Sequence, residues 1–442
     1  MAIKRPVILI AGVAASGLML TACDSRPTLP EEAGYGPNPT LPEPRTTWFP
    51  TVKIADAVGW KLGEKPTTPS GGQVSAFASG LQHPRWLYEL PNGDVLVAES
   101  DAPPKPADTS EGIRGWVQGL FMKKAGSQTL SANRIMLLRD GDGDGVAETK
   151  SIFLENLNSP FGMALIGDQL YIANADALIR VAYQPGETRS AGAPVKVADL
   201  PAGRNHHWTK SLTASADGAR LYVGVGSNSN VAENGMAEEE RRAAVLEIDP
   251  ATGSTQVFAT GLRNPVGIDW NPATKDLWVA VNERDEIGDD LVPDYMTSVK
   301  RGGFYGWPYS YYGQHLDRRV EPQKPELVAK AIKPDYALGS HTASLGLAFV
   351  PEGRLGPNYQ GGAFVGQHGS WNRSRPVGYR VIFVPFSDGK PAGMPKEILT
   401  GFLNEKGEAR GRPVGVLVDR RGGLLVADDV GNTIWRVALA KY

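Results

Sequence analysis

Six times along the chain a short apolar run, led by Pro or Leu near a Gly, is broken by a turn of Asp, Asn or Gly. It resumes in a strand that ends in Val-Ala, Val-Gly or a close variant. The copies are Pro84 to Glu99, Pro160 to Asn174, Leu212 to Gly226, Pro265 to Asn282, Leu345 to Gly366 and Pro413 to Asp428. The alternation of apolar residues predicts strands, and the turns at Asn92-Gly93, Gly167-Asp168, Asp217-Gly218 and Gly422-Gly423 predict tight hairpins, where positive φ favours Gly and Asn. Each copy therefore reads as the first two strands of a four-stranded antiparallel blade. A single blade leaves both faces bare, so repetition implies stacking of neighbours, and six copies suit a closed ring. The expected fold is all-β, a six-bladed β-propeller over residues 73–442; a two-sheet sandwich or a solenoid would use similar hairpins.

The spacing between copies is uneven, and the longest excesses follow the first and the fourth. In the first insertion, Asp101 to Asn133, residues Ile113, Trp116, Val117, Leu120 and Phe121 recur at spacings of three and four, followed by Lys123 and Lys124. That predicts a short amphipathic helix, packed on the rim or lying at a membrane interface.

The ends of the chain add a second theme. Lys4 and Arg5 precede an apolar run from Val7 to Leu20, then Leu20-Thr21-Ala22-Cys23. The shape is that of an export signal over residues 1–22, too short to span a bilayer, which takes about 20 apolar residues. Small residues before a cysteine resemble the bacterial lipobox, which implies lipidation of Cys23, attachment to the membrane and a site on the periplasmic side; Asp24 beside it points to the inner membrane. Cys23 is the sole cysteine, so no internal disulfide is available and stability must come from the core. Residues 24–44 are rich in Pro, Glu and Gly, and the stretch 23–72 is expected to be a tether that does not pack. A formal net charge of -2 with scattered basic residues excludes the basic footprint of a nucleic-acid binder.

Segments leading the inner strands should converge at one end of the channel. Three are polar: Asn205-His206-His207-Trp208, Gly261-Leu262-Arg263-Asn264-Pro265 and Gly411-Arg412-Pro413. On these residues, and on VNERDEIGDD (281–290), GGFYGWP (302–308) and QHGSWNR (367–373), the chain resembles the glucose/sorbosone dehydrogenase family that uses pyrroloquinoline quinone (PQQ), from about Gly80 to Val437. Within it, the sorbosone dehydrogenase-like and aldose sugar dehydrogenase-like members are the more similar.

The resemblance implies oxidation of an aldose or sugar aldehyde, with PQQ and Ca²⁺ as cofactors and an unnamed electron acceptor, a quinone or another carrier. It implies His207 as the base for the substrate hydroxyl, in preference to His206, and Arg263 beside the reactive quinone carbonyl, with Asn264, Arg412, and His368 or Arg373 as further cofactor contacts. Calcium would be held by backbone carbonyls of Glu283 and Arg284. Differences from the glucose-oxidising members are the lack of a Gln in Asn158-Ser159-Pro160-Phe161-Gly162, Gln367 to Ser370 where a Lys stands, and Val414 in place of a second Arg. Separately, Asp140, Asp142 and Asp144 alternate with Gly as in a calcium loop, although Ser151 stands where an EF-hand has Glu; a structural Ca²⁺ site and a polar hairpin both fit. Two other functions share the architecture: a non-catalytic binding propeller, and a metal-dependent lactonase.

Overall fold

The computed structural model describes residues 27–46, 53–69, 71–104 and 130–439. Its strands form six antiparallel blades arranged as a ring. Blade one comprises Pro84–Glu89, Val95–Glu99, Arg134–Arg139 and Thr149–Leu154; blade two Met163–Ile166, Gln169–Ala173, Ala177–Ala182 and Val195–Asp199; blade three Lys210–Ala214, Leu221–Val225, Ala244–Ile248 and Thr255–Thr260. Blade four is built from Pro265–Trp270, Leu277–Val281, Pro293–Ser298 and Tyr336–Ser340, blade five from Ser344–Phe349, Ala363–Gln367, Arg380–Val384 and Lys396–Leu399. Blade six takes Pro413–Val418, Leu424–Asp428 and Thr433–Leu439 from the end of the chain and Gly72–Ser79 from its beginning. This last pairing, Gly72 with Leu439 through Ser79 with Thr433, fastens the ring shut.

All six sequence copies fall on the first and second strands of successive blades. The first strand of each blade is innermost and touches the first strands of its two neighbours around the whole circle. Second strands are buried at every position in Val95–Glu99, Leu221–Val225, Leu277–Val281, Ala363–Gln367 and Leu424–Asp428, not at alternate ones. A neighbouring blade covers each face, so both faces of such a strand must be compatible with a core.

Glycine sets how closely the blades approach. A Cβ on Gly346 would lie 2.1 Å from the Val414 carbonyl oxygen, and one on Gly162 would lie 2.2 Å from the Leu212 nitrogen. Between blades one and two aromatic packing takes over, with the rings of Trp86 and Phe161 4.8 Å apart.

The expected tether is corrected by the structure. Tyr35 and Gly36 pair with Leu338 and Ala337 at the edge of blade four, and Arg380 donates to the buried Tyr35 hydroxyl at 2.7 Å. Farther on, Trp60 packs edge-on against Phe402 and Trp435 and donates to Asp428 at 2.7 Å. Two aromatic side chains supply the burial that the polar composition of the segment hides, so these residues form a strap across blades four to six. The amphipathic helix expected around Ile113 to Phe121 lies outside the described residues, as do the signal segment and Cys23. Among the described residues the one α-helix is the single turn Pro325–Val328.

The close approach at Gly346 gives a test. Gly346→Ala should lower stability by about 1–3 kcal/mol through overpacking against backbone that has no rotamer to yield, read as a lower midpoint in urea or thermal denaturation; an unchanged midpoint would show that the blades can separate without cost.

Candidate functional site at one mouth of the ring

In every blade the start of the inner strand and the end of the second strand share one end of the ring, because the two are antiparallel neighbours. The loops that meet there carry His83 to Arg85, His206 to Lys210, Ser227 to Asn230, Arg263 and Asn264, Asn282 to Asp290, Gln367 to Arg373, and Arg412 with Asp428 and Asp429.

His207 and Arg263 are together in this mouth. The Nδ1 atom of His207 lies 3.0 Å from both the carbonyl and the hydroxyl oxygen of Ser227. The Ser227 hydroxyl spends its own proton on the Ser229 carbonyl at 2.6 Å. Both oxygens therefore accept from His207, which assigns the proton to Nδ1 and leaves Nε2 with a lone pair. Burial, then the nearby charges of Arg263 and His206, hold the imidazole well below its ordinary pKa of 6.5. The ring is neutral at physiological pH and has the correct nitrogen free to accept a proton. Gly226 permits the arrangement: a Cβ there would sit 2.4 Å from both His207 Cβ and Asn264 Oδ1. That buried Asn264 oxygen has no hydrogen-bond partner among the described residues.

Arg263 is only 1% exposed, and all five of its N–H groups are spent on protein. Nε donates to the Asn230 carbonyl, Nη1 to the carbonyls of Asn282 and Glu283, and Nη2 to Asn230 Oδ1 and Asp285 Oδ2. This guanidinium organises the loop after the second strand of blade four and acts on His207 through its charge. The same bond bears on calcium. The Glu283 carbonyl accepts Arg263 Nη1 at 2.7 Å and keeps a second lone pair. The Arg284 side chain pairs with Asp317 in the insertion of blade four, at 2.5 Å.

A second cluster gathers on Asp429. Arg85 Nη1 lies 2.5 Å from its Oδ2, His368 Nε2 at 2.8 Å and His83 Nε2 at 3.6 Å. Burial alone would raise the Asp429 pKa, but the His368, His83 and Arg85 charges outweigh it and hold this carboxyl far below the usual carboxylate range. Burial pushes His368 down to about 4 despite the Asp429 charge. Arg373 joins the opposite rim, where its Nη2 lies 3.3 Å from Asp290.

Arg412 differs from these arginines. It is buried, its guanidinium stands over the Tyr379 ring at 5.0 Å, and Nη2 donates to the Ala55 carbonyl of the strap at 3.3 Å. Among the described residues no carboxylate lies within ion-pair distance of it, and its Nε has no partner; Nε of Arg85 and of Arg373 are likewise unpartnered. A buried cation without a counter-charge costs several kcal/mol, of order 3–5 when a partner is missing. Such a mouth suits an anionic guest.

Sequence reasoning missed His83, Arg85, Asn230, Asp285 and Asp429. The signal for two of them was present, since His83-Pro84-Arg85 leads its inner strand as Arg263-Asn264-Pro265 leads another. Asp140, Asp142 and Asp144 come together with Glu148, their ligand atoms within 4.8 Å, but at the opposite end of the ring. Asp140 is already paired with Arg421 at 2.5 Å and accepts from the backbone of Gly143 and Gly145, the pattern of a self-contained polar hairpin. A hollow of about 550 Å³ opens on the flank beside Phe304, Trp307 and Tyr309, and none of His207, Arg263, Asn264 or Arg412 lines it.

Fold and mouth together define a six-bladed propeller whose loops gather imidazole, guanidinium and carboxylate groups at one end. The chain belongs to the family described as a domain of unknown function, DUF7133, whose model matches residues 91–370; a TrAA12-like model matches residues 323–440. It is 29% identical over 298 residues to an uncharacterized protein of Borreliella burgdorferi, covering 65% of this chain and 77% of that one. It is 22% identical over 360 residues to the pyrroloquinoline quinone-dependent pyranose dehydrogenase of Coprinopsis cinerea, covering 72% of this chain but only 44% of the length of that protein. Among solved structures, the holo PQQ domain of the Coprinopsis pyranose dehydrogenase superposes with a TM-score of 0.67 at 19% identity, covering 87% of this chain and 100% of the domain. The calcium structure of a Trichoderma reesei carbohydrate-active enzyme of family AA12 superposes with 0.68 at 17%, covering 88% and 99%. At such identities the likeness shows the fold.

The His368 pKa makes a pH prediction. Its folded value lies near 4, below the ordinary 6.5, so as pH falls the unfolded chain takes up this proton first. The contribution is present above pH 6.5 and is lost between pH 6.5 and 4. Urea denaturation should show stability falling across that window, with a shallower fall in His368→Gln; an equal slope in both would remove His368 as the cause.

Proposed function

We propose that this protein is an exported, lipid-anchored dehydrogenase that uses PQQ to oxidise an aldose or a sugar aldehyde to the lactone or acid. The observation that carries the reading is the buried Arg412, whose charge no described carboxylate answers, in the same mouth as a neutral imidazole with a free Nε2. PQQ, with three carboxylates, fits such a mouth: Arg412 and Arg85 each carry an N–H without a protein partner to answer a carboxylate, and the unpartnered Asn264 oxygen, an acceptor, would take an N–H of the guest. The similarity to PQQ-dependent pyranose and aldose sugar dehydrogenases supports the same class.

When bound, the cofactor supplies the hydride acceptor. The rest falls to side chains of this chain. His207 Nε2 takes the proton of the substrate hydroxyl, and its Nδ1–H bonds to Ser227 keep the ring from turning. Arg263 keeps the base unprotonated before turnover by raising the cost of a second positive charge. Arg412 and Arg85 hold the carboxylates at the cofactor edge, and Trp208, stacked under Arg85 at 5.8 Å from its ring, screens that edge from water. Calcium, where present, would be held by the backbone carbonyls of Glu283 and Arg284 and would polarise the cofactor; none of the roles given to the side chains depends on it. Signal-directed export and lipidation at Cys23 would place the site on the periplasmic side of the membrane, near a membrane-bound electron acceptor. A binding propeller without turnover is the second reading, favoured by the saturation of Arg263.

Reconstitution with PQQ, with and without Ca²⁺, followed by dye reduction against aldoses, sorbosone and simple aldehydes, tests the class; no PQQ-dependent turnover on any of them would favour the binding propeller. His207→Ala should lower kcat about 10²–10⁴-fold with the cofactor still bound, and the acid limb of the wild-type rate profile should lie well below pH 6.5 because the His207 pKa is lowered. Arg412→Gln should weaken PQQ binding about 10- to 100-fold, the worth of a charged hydrogen bond, without loss of fold; unchanged affinity would place the cofactor elsewhere.

A further inference from the structure

The strap also fixes where the chain leaves the propeller. Thr28 donates from its backbone N–H at 2.6 Å and from its hydroxyl at 2.9 Å to Asp290 Oδ2, and the Leu29 N–H adds a third bond at 3.2 Å. Asp290 belongs to the loop that carries Glu283 and Asp285, and its other oxygen pairs with Arg373. The strap is thus pinned to the mouth rim only five residues after Cys23. Five residues reach at most about 18 Å when fully extended.

From these distances we propose that the mouth of the ring faces the lipid bilayer and that the bilayer surface is the partner of this end of the molecule. The inference rests on the reading of Cys23 as the lipidated residue. A blade strand of five or six residues already spans about 17–20 Å, and loops extend the ring beyond that at both ends. A leash that begins on the mouth rim therefore cannot reach a membrane lying under the far end. The rim is suited to such contact: Leu62 is 106% exposed beside exposed Lys61, and exposed Leu316 stands two residues before exposed Arg318, next to the Asp317–Arg284 pair. Apolar side chains interleaved with cations match the boundary between headgroups and acyl chains, where each basic residue gains about 1 kcal/mol from anionic lipid. Substrate must then enter sideways, through the gap between rim and headgroups.

The test uses the full-length lipoprotein in vesicles that contain anionic lipid and a headgroup-linked quencher. Lipid occupies the Cys23 thiol, so one fluorophore can be attached at Leu62→Cys on the mouth end or at Val146→Cys, whose site is exposed in the loop beside Arg421 at the far end. The Leu62 probe should be quenched at least threefold more than the Val146 probe. Equal quenching, or more at Val146, overturns the orientation. Insertion of twenty Gly/Ser residues after Arg26 should cut the difference at least twofold, and an undiminished difference overturns the leash as its cause. Detergent-phase partition of wild type against Cys23→Ser examines the anchor separately. A wild-type protein that stays aqueous overturns the lipidation reading and this proposal with it, whereas a partitioned protein with the wrong quenching pattern overturns the orientation alone.

Discussion

The structure depends on how closely neighbouring inner strands approach around the axis. Gly162, Gly267, Gly346 and Gly415 each face the next blade at a distance that no side chain tolerates, with would-be Cβ contacts of 2.2, 2.6, 2.1 and 2.7 Å. Those contacts set how closely the inner strands stand around the axis. Close packing of adjacent blades makes neighbours of residues distant in sequence, as His207 from blade three and Arg263 from blade four are, and the burial it brings, with the Arg263 charge, lowers the His207 pKa.

The convergence also explains why the mouth is crowded with opposed charges. Buried guanidinium groups need acceptors, and four of them find carboxylates: Arg85 with Asp429, Arg263 with Asp285, Arg284 with Asp317 and Arg373 with Asp290. Breaking one such pair leaves an uncompensated buried charge, so these arginines hold loops in place more than they advertise charge to a guest. Counting basic residues along a sequence overstates the field of the site for this reason. More informative are buried cations with no carboxylate at ion-pair distance, of which Arg412 is one.

Much of the fold was legible, because blade repetition writes the same apolar run and turn six times and burial on both faces makes each run continuous. The strand leaders were legible in part. Arg263, Asn264 and Arg412 stand just before the Pro that opens an inner strand, a position that marks the mouth; Arg85 and His83 flank such a Pro too, yet they were passed over. Asp429 and Asp285 were not recoverable, since an acid after a second strand is indistinguishable from surface until its partners are in place: His368 from another blade in one case, Asn372 from another blade and Arg263 from the start of its own in the other. The strap was misread because the Pro and Glu content of the segment concealed Tyr35 and Trp60. Its packing could be foreseen from neither residue alone, because the edge of blade four and the Asp428 carboxylate that receive them are made by residues some 300 positions later.

Strap and site form one mechanical unit. Lys53 bridges to Asn372, the Ala55 carbonyl receives Arg412, Trp60 binds Asp428 and Thr28 binds Asp290, so a single segment touches the loops of blades four, five and six that build half of the mouth. Loops ordinarily open at low free-energy cost because few contacts hold them. Here each of the three is held by contacts from the strap, which is also stitched into blade four through Tyr35. Arg412, a buried cation with no described carboxylate within ion-pair distance, is fixed by this strap and by the face of Tyr379. Its charge is therefore presented to the mouth by a rigid frame, which is the condition under which a fixed cation orients an anionic guest without having to reorganise on binding.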